Sequence, residues 1–358
     1  MSILDAGFTL KPELAVNPAL LQKLRLPILA PTYGVLEDLV GTWVGTGFNV
    51  IWRPFNPLTE SDRFLELNLT NEKLEVSKID GAIPNRGLLQ GDIDMFGVTY
   101  VDQISDANLN AGLHFEPGIW ARVPATTEPA QGESYVRMAS IPHGTTILAQ
   151  GRSTTVNSAP TIPATSITPF IKGNPSGLIT FAEQDLSQVT QFRTTGPGLT
   201  GITQPMLDDP NSVLRAVIAG QTITQTIQLD VDTLPLTPGG TNGGTANTVF
   251  LGGTAPNTEN AFSVDVHATF WIEKLQGQTS FTQLQYTQKV LLNFNGLSWP
   301  HITVGTLALQ PAHTKPFPWM TLNPNHLPDT LPGPIGGIRI PNLPPHLPVP
   351  PRPPEKLG

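Results

Sequence analysis

The chain contains no cysteine, so disulfides, thiolate metal sites, iron–sulfur clusters and cysteine nucleophiles are all excluded. Charge is scarce as well. Only 13% of the 358 residues are Asp, Glu, Lys or Arg, about half the usual share of a soluble domain. The balance is acidic, −8 at pH 7, which argues against non-specific binding to nucleic acid or to an anionic membrane surface. No stretch approaches the roughly 18 consecutive apolar residues of a membrane-spanning helix, so no membrane insertion is expected. The opening MSILDAGFTLKPEL lacks a basic n-region and a long apolar run, so no secretory signal is expected and a cytoplasmic location is. There is no Gly-x-Ser-x-Gly, no phosphate loop, no dinucleotide fingerprint and no His-Glu-x-x-His. The seven histidines are dispersed, and no pair has zinc-motif spacing.

Turn formers are abundant instead. With 37 prolines and 33 glycines, long helices are disfavoured and a β-rich fold is expected. Residues 1–38 read as a lead-in with one short helix: Asn17 is a good N-cap, Pro18 suits the first helical position, and Leu20, Leu21 and Leu24 share a face. From 39 to about 155 the pattern is strands at hairpin spacing. RFLELNLTNEKLEVSKI alternates, with Leu65, Leu67 and Leu69 on one side, a turn expected at Asn71–Lys73, and Leu74 and Val76 resuming the apolar face. Residues 156–260 are rich in Thr, Pro, Gly, Ser and Asn and read as a long insertion with its own partial β structure. Residues 261–309 return to three antiparallel candidates, and 311–358 form a Pro-rich, polyproline-like tail. One β domain over 39–309, interrupted at about 156–260, is the organisation expected. Its strands suit a meander closing into a barrel or sandwich.

Three segments carry a family resemblance. Gly41–Trp43 in DLVGTW has the Gly-x-Trp that opens lipocalin-like barrels, where the Trp plugs one end and the Gly lets strands approach. Its continuation, GTWVGTG, resembles the opening of the nitrobindin-like heme β-barrels, relatives of the fatty-acid-binding proteins. LHFEPGIWARV (113–123) followed by ESYVRMASIPHGTTILAQG (133–151) is similar to that family's central hairpins. QLQYTQKVLLNFNGLSWPHITVGTL is similar to its closing hairpin, whose histidine is the axial heme ligand. The resemblance covers about 39–152 and 262–309. It implies an all-β, antiparallel lipocalin-like (calycin) barrel, heme b as cofactor, and His301 as the proximal iron ligand. The run FNVIWRP departs from the family's pattern after the glycines, and the insertion, lead-in and tail are extra.

The residues themselves leave alternatives open. His301 follows Pro300 and begins an apolar strand, with His301, Thr303, Gly305 and Leu307 on one face; if that face is inward, Ile302 and Val304 need cover. It is either an iron ligand or a strand-end histidine bonded at the rim. His143, in a turn between strands, is a candidate distal acid/base group or an exposed turn residue. His114 and Glu116 share a face and are either functional or an ordinary polar contact. Arg53, Arg137 and Arg152 are candidates for heme propionates, and Trp43 is expected to close the cofactor's barrel. His267 lies on a polar face and is expected outside; His313, His326 and His346 lie in the tail.

Besides a structural or assembly role, with the Pro-rich tail and the Gly/Thr-rich insertion as interaction surfaces, two functions of different class follow. One is a heme barrel that binds or acts on peroxide, peroxynitrite or nitric oxide, enzymatic as a peroxidase or peroxynitrite isomerase if catalytic. The other is a heme-free barrel carrying a fatty acid or another apolar molecule. A homo-oligomer is compatible with either.

Overall fold

A computed structural model describes residues 32–54, 63–128, 130–141, 145–234, 248–249 and 262–311. The chain divides into two units, Met1–Ala312 and His313–Gly358, and every described residue lies in the first. The expected helix at 17–24, the turn holding His143, and the Pro-rich tail lie outside the described residues.

Ten long strands form the wall: β1 Gly41–Arg53, β2 Phe64–Lys78, β3 Ile93–Asp106, β4 Gly112–Val123, β5 Ser134–Ile141, β6 Thr145–Val156, β7 Ile223–Asp232, β8 Phe262–Leu275, β9 Gln283–Phe294 and β10 Leu297–Leu309. Each pairs antiparallel with the next in sequence. β10 then pairs with β1, from Trp43↔Leu309 to Val50↔Ile302, and closes the barrel. The fold is therefore an all-β, up-and-down antiparallel barrel of the lipocalin type, as expected. Closure leaves no wall strand as a free edge. The stretch 156–260 contributes β7 to this wall, paired with β6 and β8.

Local sequence sets several of these joints. Asn295-Gly296 links β9 to β10 with φ of 50° and 74°, the backbone a two-residue I′ hairpin requires. Strand β10 begins at Leu297, so His301 lies well inside it. Pro300 pairs with Leu291 of β9 and is tolerated because its other side sits in a pairing gap. The β1 ladder ends at Ile302, and the short strand Phe170–Ile171 pairs only with Ser298 and Leu297. A 3-10 helix, Gly34–Leu39, leads into β1, and its Leu39 carbonyl accepts from Trp43 Nε1 at 2.8 Å. Trp43 is fully buried at this end.

The turn expected at Asn71–Lys73 is absent. Phe64–Lys78 is one unbroken strand, and the apolar residues change sides within it. Leu65 and Leu67 are buried on the outside; Leu74 and Val76 point into the barrel. The outer face of the first half is covered by chain that follows β6. Leu65 exchanges backbone bonds with Phe192 and Thr194, and Leu67 N–H donates to Thr194 Oγ1. The helix Asn211–Ile218 packs on β10. Phe48, Val50, Trp52, Ile302 and Val304 face this layer and are completely buried. Trp52, Phe181, Phe294 and Trp299 stack together, with Trp52 Nε1 donating to the Ile167 carbonyl. The cover that Ile302 and Val304 require is thus supplied by residues 157–222. No helix among the described residues is long and apolar enough to cross a membrane.

Candidate functional site

Two cavities lie inside the barrel. The larger, about 340 Å³, opens at the end where β1 finishes and β10 starts. Ile51, Ile104, Leu113 and Leu292 supply its apolar wall; Asn49, Arg53, Glu66, His114, His301 and Thr303 supply its polar groups. The smaller, about 30 Å³, lies deeper. Ile104, His114 and Thr303 line both, so the two adjoin.

His301 faces the mouth cavity and is 6% exposed. Its strand partners orient it. Asn49 Oδ1, on β1, accepts from His301 Nε2 at 2.8 Å and from the Thr303 hydroxyl at 2.9 Å. Asn49 cannot turn its amide around, because its Nδ2 donates to Asn68 Oδ1 at 3.2 Å. Asn68 Nδ2 in turn donates to the Asp106 carboxylate at 2.7 Å. This chain of bonds, running from the Asp106 carboxyl to the imidazole over four strands, fixes the proton of a neutral His301 on Nε2.

The inner cavity holds a different set of groups. Glu116 on β4 accepts from Arg137, Tyr100 and His114, the last at 3.1 Å. Arg137 on β5 also donates to Tyr100 at 2.9 Å and to Gln288 Oε1 at 2.7 Å. Its guanidinium lies 5.4–5.6 Å from the ring centres of Tyr100, Trp120 and Phe270. Burial alone would raise the Glu116 carboxyl, but Arg137, His114 and Tyr100 together hold it at about 2. Glu72 and Asp102, the latter the cross-strand neighbour of Glu116, have no ion pair of their own among the described residues, although the Arg137 charge reaches Asp102. Burial, reinforced by the Glu116 charge, pushes Glu72 up to about 7, even though Tyr286 donates to its Oε2 at 2.6 Å. Burial and the neighbouring Glu72 push Asp102 well above the usual carboxylate range.

The Tyr286–Glu72 bond spans from β9 to β2, across β10 and β1. Glycine makes this possible: a Cβ at Gly305 would stand 2.5 Å from the Tyr286 ring and 3.0 Å from Glu72 Oε2. At Gly45, a Cβ would stand 2.0 Å from the Thr306 carbonyl oxygen. The glycines of GTWVGTG therefore permit the close β1–β10 approach that the sequence suggested.

The sequence-selected residues are distributed as follows. His301, Arg53 and His114 line the mouth. Arg53 is largely exposed and pairs with Glu66 at 3.1 Å. Arg137 is buried in the inner cavity, committed to Glu116, and does not reach the mouth lining. Trp43 lines neither cavity and sits at the opposite end of β1. Arg152 and His267 are exposed on outward positions. His143 and the tail histidines lie outside the described residues. Sequence reading did not single out Asn49, Thr303, Glu72, Asp102, Tyr286 or Gln288. Thr303 shares parity with His301, and that was the available signal. Among the described residues no group of three or more His, Asp or Glu side chains is placed to hold a bare metal ion.

No protein-family model matches the chain, and no curated protein matches it. Among solved structures, Rv2717c from M. tuberculosis is similar, with a TM-score of 0.36 and 13% identity over 79% of this chain and 99% of that one.

Proposed function

We propose that the barrel binds one small ligand in its mouth cavity, and that this ligand is heme held through His301. The observation that carries the reading is His301 itself: a buried imidazole that faces a cavity of mixed apolar and polar lining, with one ring nitrogen fixed by Asn49. Histidines that hold metals have such an acceptor on their other nitrogen. The resemblance to the nitrobindin-like barrels supports the same residue. The remaining groups fit as well. Ile51, Ile104, Leu113 and Leu292 offer apolar contact, and Arg53 at the rim offers a cation for a propionate. Arg137, spent on Glu116, is not given that role.

When bound, heme would supply an iron with a coordination position for peroxide, peroxynitrite or nitric oxide. The chain's own part is to orient His301 through the Asn49–Asn68–Asp106 relay and to supply apolar contact from Ile51, Ile104, Leu113 and Leu292. It also presents His114 in the same cavity, its ring held by Glu116. His114 is thereby a candidate for moving a proton to or from a ligand in that cavity.

A heme-free reading has one observation in its favour: 340 Å³ is near the lower end for small-molecule pockets, which suits a ligand smaller than a porphyrin. Titration with ferric heme separates the two. A saturable Soret band that His301→Ala abolishes, and that Asn49→Leu weakens by about 10–100-fold, is expected. Unchanged heme affinity in His301→Ala would overturn the assignment, and a purified protein carrying a lipid without a Soret band would favour the alternative.

A further inference from the structure

The inner cavity has a charge arrangement that a ligand at the mouth does not explain. Its titratable groups are Glu72, Asp102, Glu116, Arg137, His114, Tyr100 and Tyr286. Arg137, Tyr100 and His114 all bond to Glu116, and Tyr286 bonds to Glu72 Oε2. Both tyrosine hydroxyls are thereby committed. Oε1 of Glu72 and Oδ1 of Asp102 are buried and meet no donor among the described residues. Glu72 is 3% exposed, so water outside the barrel cannot serve it. The two carboxyls are close enough to interact directly, and a shared proton, a bridging water or a cation would join them.

We propose that this cavity is a subsite for a primary aliphatic amine, whose ammonium head lodges between Glu72 and Asp102. An ammonium brings three donors and one positive charge, which is what this pair lacks. A cavity of about 30 Å³ holds one or two water-sized groups, the size of that head. Asp102, although on an inward position, keeps accessible surface, as a residue bordering an internal space would. Leu74, Leu284 and Phe270 line the same cavity and would contact the first methylenes. The rest of the chain would run past Ile104 and Thr303 into the mouth. In the absence of amine a single shared proton holds the carboxyl pair together, and the amine displaces it.

The subsite does not depend on iron, so its test is separable from that of heme. The full-length protein is titrated calorimetrically with n-hexylamine, n-hexanol and hexanoate at pH 8, in two buffers of different ionisation enthalpy. Expected are saturable hexylamine binding with release of a proton, and hexanol and hexanoate at least tenfold weaker. Glu72→Gln should lose at least tenfold in hexylamine affinity, while His301→Ala keeps it. Asp102→Asn carries the same expectation should Glu72→Gln fail to fold. Absence of saturable amine binding would overturn the proposal, leaving the pair joined by its proton or a water. So would equal affinity for amine and alcohol, or full affinity in the carboxyl variants.

Discussion

Two walls of this barrel follow opposite rules. On β4 to β8 the inward positions are mostly apolar, with Trp120, Ala139, Ile147, Leu229 and Phe270 buried. On β4 and β5 outward neighbours meet water, Phe115 being 59% exposed and Met138 36%, whereas on β8 the outward Trp271 and Glu273 are covered. On β1, β2 and β10 the outward positions form a core beneath residues 157–222. The inward ones there carry Asn49, Asn68, Glu72, His301 and Thr303. The difference shows how a barrel can carry a polar interior. Where a second layer buries the outer face, hydrophobic stabilisation comes from outside the barrel, and the inner face of the same strands is released for chemistry. The candidate site lies on that released face.

Arg137 and its partner Glu116 are the charged exceptions on the apolar wall, and removing Arg137 should have the largest effect. Arg137→Leu would leave Glu116 buried without its cation, a loss of about 3–5 kcal/mol in urea denaturation. Adding Glu116→Gln should restore much of that loss, since the uncompensated charge is then gone. If the double variant is no better than the single one, lost packing over Tyr100, Trp120 and Phe270 would be the cause instead. The comparison of the two outer faces is tested next. Leu67→Ala, on the covered wall, should cost about 2–5 kcal/mol as a true core truncation. Met138→Ala, on the bare wall, should stay within about 0.5 kcal/mol. Equal losses at the two positions would remove the distinction between the walls.

The barrel was legible because strand alternation and turn residues are local signals, and Asn295-Gly296 shows this most clearly. The exchange of faces was not. In Phe64–Lys78 the apolar parity shifts in mid-strand, and periodicity alone reads that as a turn, since it reports burial and not strand continuity. His301 was found through resemblance. Its partner Asn49 was not, because β1 and β10 meet only when the barrel closes and the two residues are 252 positions apart in sequence. The same holds for Tyr286 and Glu72, separated by 214 positions. Arg137 and Glu116 were each noticed, but for different reasons; pairing them requires the register of β4 with β5. Long-range polar partners leave no periodic trace, and the interior of this barrel is built mainly from them.

The smallest expected effect is a pH dependence that sharpens the same contrast. Glu72, on the released face, has its carboxyl raised from an ordinary 4.5 to about 7, mainly by burial. The folded protein therefore holds this proton more tightly than the unfolded chain does. The resulting stability is fully present below about pH 4.5 and is lost as pH rises through about 7. Glu273, on the outward side of β8, is likewise raised to about 7 by burial, with Gln283 opposing the rise, and acts in the same direction. Glu116 works the other way: its folded value of about 2 gives stability above 4.5 that is lost as pH falls toward 2. These groups together place the stability maximum on the acid side of neutrality. Glu72→Gln keeps an acceptor for Tyr286 but removes the titration. It should flatten part of the fall between pH 4.5 and 7 and raise stability at pH 8 by about 1–3 kcal/mol. Denaturation curves at half-unit pH steps would measure this. An unchanged slope would mean that Glu72 titrates in the folded chain as it does in water, and the charge contrast between the two walls would then be far weaker than their geometry implies.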